Sequence, residues 1–188
     1  MSQVKGFLVL GLIKFIKRGK KEAMQKIMDT LPPETRKYME EHILPAGWYP
    51  YRLLPDLLRA VDKNYGSGDL SYCIEQGRLS AQRDLSTIFK GFVGNPNPQV
   101  LIMQGMALWS SYYDVGKTEM HFPSDNEILM VIKDFQDIEM AHVKSTQGWM
   151  EQYLRMCGYQ DVTSEILKCQ CNGDPVTELR FHFKSKGK

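Results

Sequence analysis

Through residue 113 the apolar positions recur at three- and four-residue steps, the period of helices with one buried face. An apolar run from Phe7 to Ile13 opens the pattern, and Val4, Phe7, Leu8 and Leu12 are expected in the core. Gly19 separates the first helix from a second, which Leu31-Pro32-Pro33 stops; Pro33 can open the next because a first-turn proline has no amide to lose. Tyr49-Pro50-Tyr51 leads into a helix through Leu54, Leu57, Leu58 and Val61. Beyond Gly66-Ser67-Gly68, Asp69 is placed to cap a long helix from Leu70 to about Phe92. Small residues on its apolar stripe, Gly77 and Ala81, predict that another helix approaches closely there. Gly94-Asn95-Pro96 breaks the chain, and Asn97 caps a helix with Pro98 at its first position, running through Met103, Met106 and Trp109.

The period then drops to two. Thr118, Met120 and Phe122 alternate with Glu119 and His121, Pro123 to Asn126 makes a turn, and Ile128 to Ile132 is a β-rich run, which together read as a hairpin. Residues 136–157 return to helical spacing, with Val143, Gln147, Met150, Leu154 and Cys157 on one face and Gly158 as the stop. Val162 to Cys171 and Leu179 to Phe183 form a second strand pair. The pattern predicts an α+β protein: a helical N-terminal half, then a ββαββ unit whose antiparallel four-stranded sheet packs on helices. Residues 1–183 read as one domain and 184–188 as a disordered basic tail.

A chain of 188 residues, 43% hydrophobic and 24% charged, has ordinary globular composition and length enough for a core. Its net charge of +2 selects no partner. Four cysteines, Cys73, Cys157, Cys169 and Cys171, are too few and too unevenly spread for a disulfide scaffold, and two lie in predicted helices. A reducing, cytoplasmic setting follows as the expectation. The first 21 residues carry six Lys or Arg and no acid. Charge follows the apolar run instead of preceding it, which is the wrong order for a secretory signal, and Lys14 ends the run far short of a membrane span. A helix lying on an anionic membrane is one reading; a first core helix with a basic face is favoured.

Several short motifs share an order and spacing: Val4-Lys5-Gly6, Trp48-Tyr49-Pro50, Gly77-Arg78, Trp109 to Gly116, Gly148-Trp149, and Cys171-x-Gly173-Asp174-Pro175. Together they resemble an uncharacterised paralogous family abundant in myxobacteria, itself similar to 4-vinyl-reductase-type domains. Those domains share a fold with haem nitric-oxide-binding domains and small TRAPP trafficking subunits. The resemblance implies an α+β fold that holds small hydrophobic molecules, acyl chains or haem between helices and sheet. It implies no activity. Relatives often carry a further cysteine after the Gly-Asp-Pro turn, where this chain has Val176, Thr177 and Glu178.

Cys169 and Cys171, two apart on a strand, would face one side and could approach a zinc sphere with His121 and His182, yet CxC lacks a second cysteine pair and plain buried thiols are favoured. Haem needs an axial ligand, and residues 85–118 hold no histidine; the Tyr-x-Ser-x-Arg that grips propionates in the nitric-oxide sensors is also missing. His142, flanked by Glu139 and Lys144, reads as solvated. No phosphate loop, nucleophile elbow or paired metal motif is present, and basic residues do not interleave with aromatics as a nucleic-acid surface requires. What stands out is aromatic: Trp48 with Tyr49 and Tyr51, then Trp109 with Tyr112 and Tyr113, then Trp149 with Tyr153. Core packing explains such clusters, and so does a cavity lining.

The candidate pocket is therefore Trp48, Tyr49, Trp109, Tyr112, Tyr113, Trp149, Cys169 and Cys171, with Trp149 covering one end and reaching Trp109 or the Cys169 face. The expectation is a non-enzymatic ligand-binding or sensory domain for a small hydrophobic molecule, with no metal or cofactor and no nucleic acid, its signal passed to an unidentified protein partner. The alternative is an interaction or scaffold protein, a homodimer with a filled core. A cavity of several hundred Å³ would favour the first.

Overall fold

A computed structural model describes residues 2–87, 90–93 and 97–184. The chain begins with a short strand β1 (Gln3–Lys5) that runs directly into α1 (Gly6–Lys17), followed by α2 (Lys21–Thr30) and α3 (Pro33–Lys37). A second three-residue strand, β2 (Trp48–Pro50), pairs antiparallel with β1, Val4 opposite Tyr49. Helices α4 (Leu53–Tyr65), α5 (Ser71–Ser86) and α6 (Pro98–Tyr112) complete this half. The helical period gives no sign of β1 and β2, because three residues are too few to show alternation.

Strands β3 (Lys117–Ser124) and β4 (Glu127–Lys133), helix α7 (Met140–Met156), and strands β5 (Gln160–Lys168) and β6 (Thr177–Lys184) form the ββαββ unit that the sequence predicts. The sheet is antiparallel in the order β3-β4-β6-β5. Alternation decides its faces: Thr177, Leu179, Phe181 and Phe183 of β6 are buried, as are Ile128, Met130 and Ile132 of β4. Helix α7 lies between this face and α5, burying Val143, Met150, Tyr153 and Leu154. It ends at Gly158 (φ 98°), whose N–H donates to Arg155 while that of Tyr159 donates to Leu154. These two bonds are a Schellman cap, and a left-handed residue is needed to close it. Lys184 is the last residue of β6, opposite Gln160, so the strand extends one position into the expected tail. Residues 185–188 lie outside the described residues, as do Ile88 and Gly94-Asn95-Pro96.

The N-terminal helix belongs to the core. Val4, Leu8, Val9, Leu12, Ile13 and Ile16 are buried, Phe7 is partly buried, and Lys14, Lys17, Arg18, Lys20 and Lys21 are exposed. The basic face is solvated and the apolar face already covered. No helix among the described residues is long and apolar enough to cross a membrane.

The start of α5 shows a non-local cap. Asp69 accepts from the Ser71 N–H, as the spacing predicts, but the buried Asp62 of α4 accepts from both Leu70 and Tyr72 N–H at 2.9 Å. Leu70 is held left-handed (φ 67°) between them. Replacing Asp62 with Ala strips two first-turn amides of their acceptor in a buried place. Asp62→Ala is expected to lower unfolding free energy by about 3 kcal/mol; a loss below about 1 kcal/mol in urea denaturation would contradict the cap.

Candidate functional site

Helices α5 and α7 cross backbone to backbone. A Cβ placed on Gly77 would meet the Ser145 carbonyl oxygen at 1.9 Å, and one on Gly148 would meet that of Ile74 at 1.9 Å. This is the close crossing that small residues predict, with Gly148 the partner. Beside it Arg78 donates from Nε and Nη2 to Glu151 Oε2 at 2.9 and 2.7 Å, and Ser164 of β5 donates to Glu151 Oε1 at 2.5 Å. One buried carboxylate thus ties α5, α7 and the sheet together.

Next to the crossing lies a mostly apolar cavity of about 60 Å³, bounded by α1, α4, α5, α6, α7 and the first two strands of the sheet. Leu8, Leu12, Leu54 and Leu58 form one wall, and Met120, Met130 and Met150 the opposite one. Trp109, Tyr112, Tyr113 and Trp149 also line it, with the hydroxyl-bearing Ser80, Ser145 and Thr146 near the crossing. Its volume is well short of the several hundred Å³ expected, because the aromatic rings and three methionines fill the space between helices and sheet. It has room for a molecule of a few heavy atoms; a void of roughly 150 Å³ is what takes benzene.

Polar groups converge at two places. Asp84 is buried, and burial pushes its carboxyl pKa up; Arg83, whose Nε lies 2.8 Å from Oδ1, works against that rise, as do the Trp149 indole and the Tyr112 hydroxyl. Burial likewise raises the pKa of Tyr112 and Tyr113, so both phenols stay protonated. The second place is His142. Its Nε2 lies 2.7 Å from the Tyr113 hydroxyl and its Nδ1 3.0 Å from that of Tyr51, which also accepts the Glu139 N–H at 3.1 Å. The imidazole sits among the rings of Tyr51, Trp109, Tyr113 and Phe135. Burial pulls its pKa down to about 3.

Four of the eight candidate residues meet at the cavity: Trp109, Tyr112, Tyr113 and Trp149. Trp149 is half-buried and packs on Tyr112 and Tyr153, away from Trp109 and Cys169. Trp48 lies outside, 39% exposed beneath the Lys5 ammonium, and Tyr49 uses its hydroxyl to accept the Leu44 N–H and packs on Tyr38. Cys169 and Cys171 are also remote. They leave the strand for a 3-10 turn, Gln170–Asn172, and are joined as a disulfide, which corrects the expectation of two free thiols on a sheet face. Cys73 and Cys157 are buried and outside any disulfide, as expected, with burial raising Cys73 to about 12. His121 and His182 are exposed, and among the described residues no group of three His, Cys, Asp or Glu is placed to hold a metal ion.

The solvated reading of His142 is also overturned: it is 1% exposed. Glu139 and Lys144 suggested solvent, but His142, Thr146, Trp149 and Tyr153 follow one another at steps of four, three and four. That spacing marks a second stripe on α7 beside the one through Val143 and Met150, and it was legible.

No protein-family model matches the chain, and no curated protein matches it significantly in sequence. Solved structures do match over nearly its full length. An H-NOX protein from K. algicida, described as Fe(II) unliganded, superposes with a TM-score of 0.68 at 11% identity, covering 97% of each chain. An oxygen-binding H-NOX domain related to soluble guanylate cyclases gives 0.64 at 14%, covering 98% of each. An H-NOX protein from S. oneidensis in the Fe(II)NO ligation state gives 0.63 at 10%, covering 96% of this chain and 99% of that one.

Those neighbours imply haem, and the residues present do not fit it. No histidine, cysteine, lysine or arginine is among the described residues of the cavity lining, so it offers no imidazole or thiolate ligand and no cation for propionates; its tyrosines are held protonated by burial, and its methionines have no histidine to pair with. From Gly91 to Tyr113 the chain carries no charged side chain at all. Leucine, methionine and aromatic side chains occupy the room a tetrapyrrole would need. The chain has the fold of the H-NOX domains, built around a different interior.

Proposed function

We propose that this chain is a non-enzymatic sensory or ligand-binding domain that takes an uncharged, hydrophobic molecule of a few heavy atoms in the cavity between helices and sheet. The carrying observation is the cavity itself: apolar walls, flexible methionines on one side, and tyrosine and tryptophan polar groups at its edge. Ligand sites combine these traits, and methionine adapts to varied shapes. On the same reading the chain is kin to the 4-vinyl-reductase-type domains and their myxobacterial relatives and acts in the cytoplasm through an unidentified protein partner, although the Cys169–Cys171 disulfide sits against a reducing setting. The scaffold alternative draws on helix α6, where Met103 and Met106 are 72% and 51% exposed.

Xenon tests the cavity without prejudging the ligand. Purified protein is expected to give a saturable ¹²⁹Xe shift that Ser80→Leu, which fills the space, suppresses. Added hemin is expected to give no stoichiometric Soret band. Absence of a saturable xenon shift would overturn the ligand reading in favour of the scaffold.

A further inference from the structure

Tyr113, His142 and Tyr51 form a hydrogen-bonded chain through the protein interior, at 2.7 and 3.0 Å. Its two ends meet different surroundings. Tyr113 lines the apolar cavity, whereas Tyr51 lines a separate groove of about 600 Å³ between α3, the start of α4 and the lead into α7, with Thr35, Asp56 and Glu139. Neither tyrosine nor the histidine is more than 8% exposed.

A neutral imidazole carries one N–H and one acceptor nitrogen, so the chain can run in either of two directions. In the first, Tyr113 donates to Nε2, Nδ1–H donates to Tyr51, and the Tyr51 hydroxyl proton points into the groove. In the second, Tyr51 donates to Nδ1, Nε2–H donates to Tyr113, and the Tyr113 proton points into the cavity. Each of the three groups holds one proton in both arrangements; the imidazole proton changes nitrogen by exchange with water. Tyr51 accepts the Glu139 N–H in either case. The two differ in what they need at the ends. The second turns the Tyr113 donor into the cavity, where the Ser80, Ser145 and Thr146 hydroxyls lie near the crossing and none is hydrogen-bonded to Tyr113, so the donor lacks a partner until something in the cavity accepts it. The first turns the Tyr51 donor toward the groove, which Thr35, Asp56 and Glu139 line with acceptor oxygens.

We propose that Tyr113 is the ligand-contacting donor of the cavity, that the ligand is an uncharged molecule bearing one hydrogen-bond acceptor such as a carbonyl, and that seating it reverses the chain through His142 to Tyr51. This rests on the cavity reading above. A ligand can shift an equilibrium only by binding its two states unequally, and here an acceptor satisfies the second arrangement and not the first. The consequence at the groove is that Tyr51 withdraws a donor, which a partner docked there would register. Because His142 stays uncharged, the message is a direction of hydrogen bonding and not a charge.

Acetone and 2-methylpropene are near-isosteres that differ in the acceptor. Both are expected to displace xenon. In protein carrying ¹⁵N-histidine, with the His142 signals assigned by their loss in His142→Gln, the free form should show Nδ1–H. Saturating acetone should convert it to Nε2–H, while 2-methylpropene should leave it unchanged. Tyr113→Phe should lower the ratio of acetone to 2-methylpropene affinity roughly tenfold. If both molecules displace xenon but the tautomer is the same with each, the relay is overturned and the cavity reading survives. If neither displaces xenon, the cavity reading itself falls. Should Tyr113→Phe not fold, the tautomer measurement on the unaltered protein decides alone.

Discussion

Gly148→Ala is expected to cost at least about 3 kcal/mol of unfolding free energy, a large loss for a single methyl group. The added carbon would lie 1.9 Å from the Ile74 carbonyl oxygen, a backbone atom in the first turn of α5 that cannot swing aside. The helices must separate, and separation removes the packing of α5 on α7 that encloses the cavity. Gly77→Ala should behave alike, since its Cβ would strike the Ser145 carbonyl oxygen at the same 1.9 Å. Gly173→Ala is the useful contrast. There the backbone is left-handed (φ 92°) but the space is open, so the expected cost is only the conformational one, about 1 kcal/mol. Chemical denaturation of the three variants separates close approach from backbone strain. Equal losses at Gly148 and Gly173 would show that the crossing is not tight.

His142 should make the protein acid-labile over a defined window. Burial holds its pKa near 3 in the folded chain, against about 6.5 when unfolded. Between those values the unfolded chain takes a proton that the folded chain refuses, so stability rises with pH and is lost on acidification below about pH 6.5. The slope approaches about 1.4 kcal/mol per pH unit below pH 6.5, and from pH 6.5 to 4.5 the loss is about 2 kcal/mol. Asp84 acts in the opposite sense, because burial raises its pKa and protonation suits the folded state. It is present in both wild type and His142→Gln, so the difference between them isolates the histidine. Urea midpoints at the two pH values should converge between wild type and variant as acid is added. A pH-independent difference would mean that His142 titrates as an ordinary solvated residue.

The alternation from Thr118 to Phe122 and the β-rich run Ile128 to Ile132 made the ββαββ unit legible, because one face of an antiparallel sheet is buried and its period is two. The helical half was legible for the same reason at its own period. What periodicity cannot show is which elements meet. Asp62 caps α5 from α4, eight and ten residues away, and nothing local marks it. The motifs carry more than they first disclose. Val4-Lys5 and Trp48-Tyr49-Pro50 lie in strands that pair with each other, Gly6 opening α1, and Gly77-Arg78 and Gly148-Trp149 are the two sides of one helix crossing. Aromatic clustering found four cavity residues and also collected Trp48 and Tyr49, since an aromatic pair reads alike in a core, on a surface or around a void. His142 was lost to its charged neighbours along the chain: Lys144, two positions on, faces another side of the helix, and Glu139 stands at the cap, outside it.

The anchoring of β1 bears on the order in which the molecule assembles. Ser2 donates to Asp137 across 135 positions of sequence, the Gln3 N–H donates to Asp114 across 111, and Val4 bridges to Tyr113. Loop closure of that length carries an entropic cost that grows with the logarithm of the separation, and contacts this distant form slowly. The segment is synthesised before these partners and therefore finds them late. Until the second half of the chain is made, α1 must keep Leu8, Leu12 and Ile16 covered by α2 and α4 alone or leave them to a chaperone. Native-state hydrogen exchange should find the β1 amides opening before those of β4 and β6, with the first strand the last to lock and the first to let go.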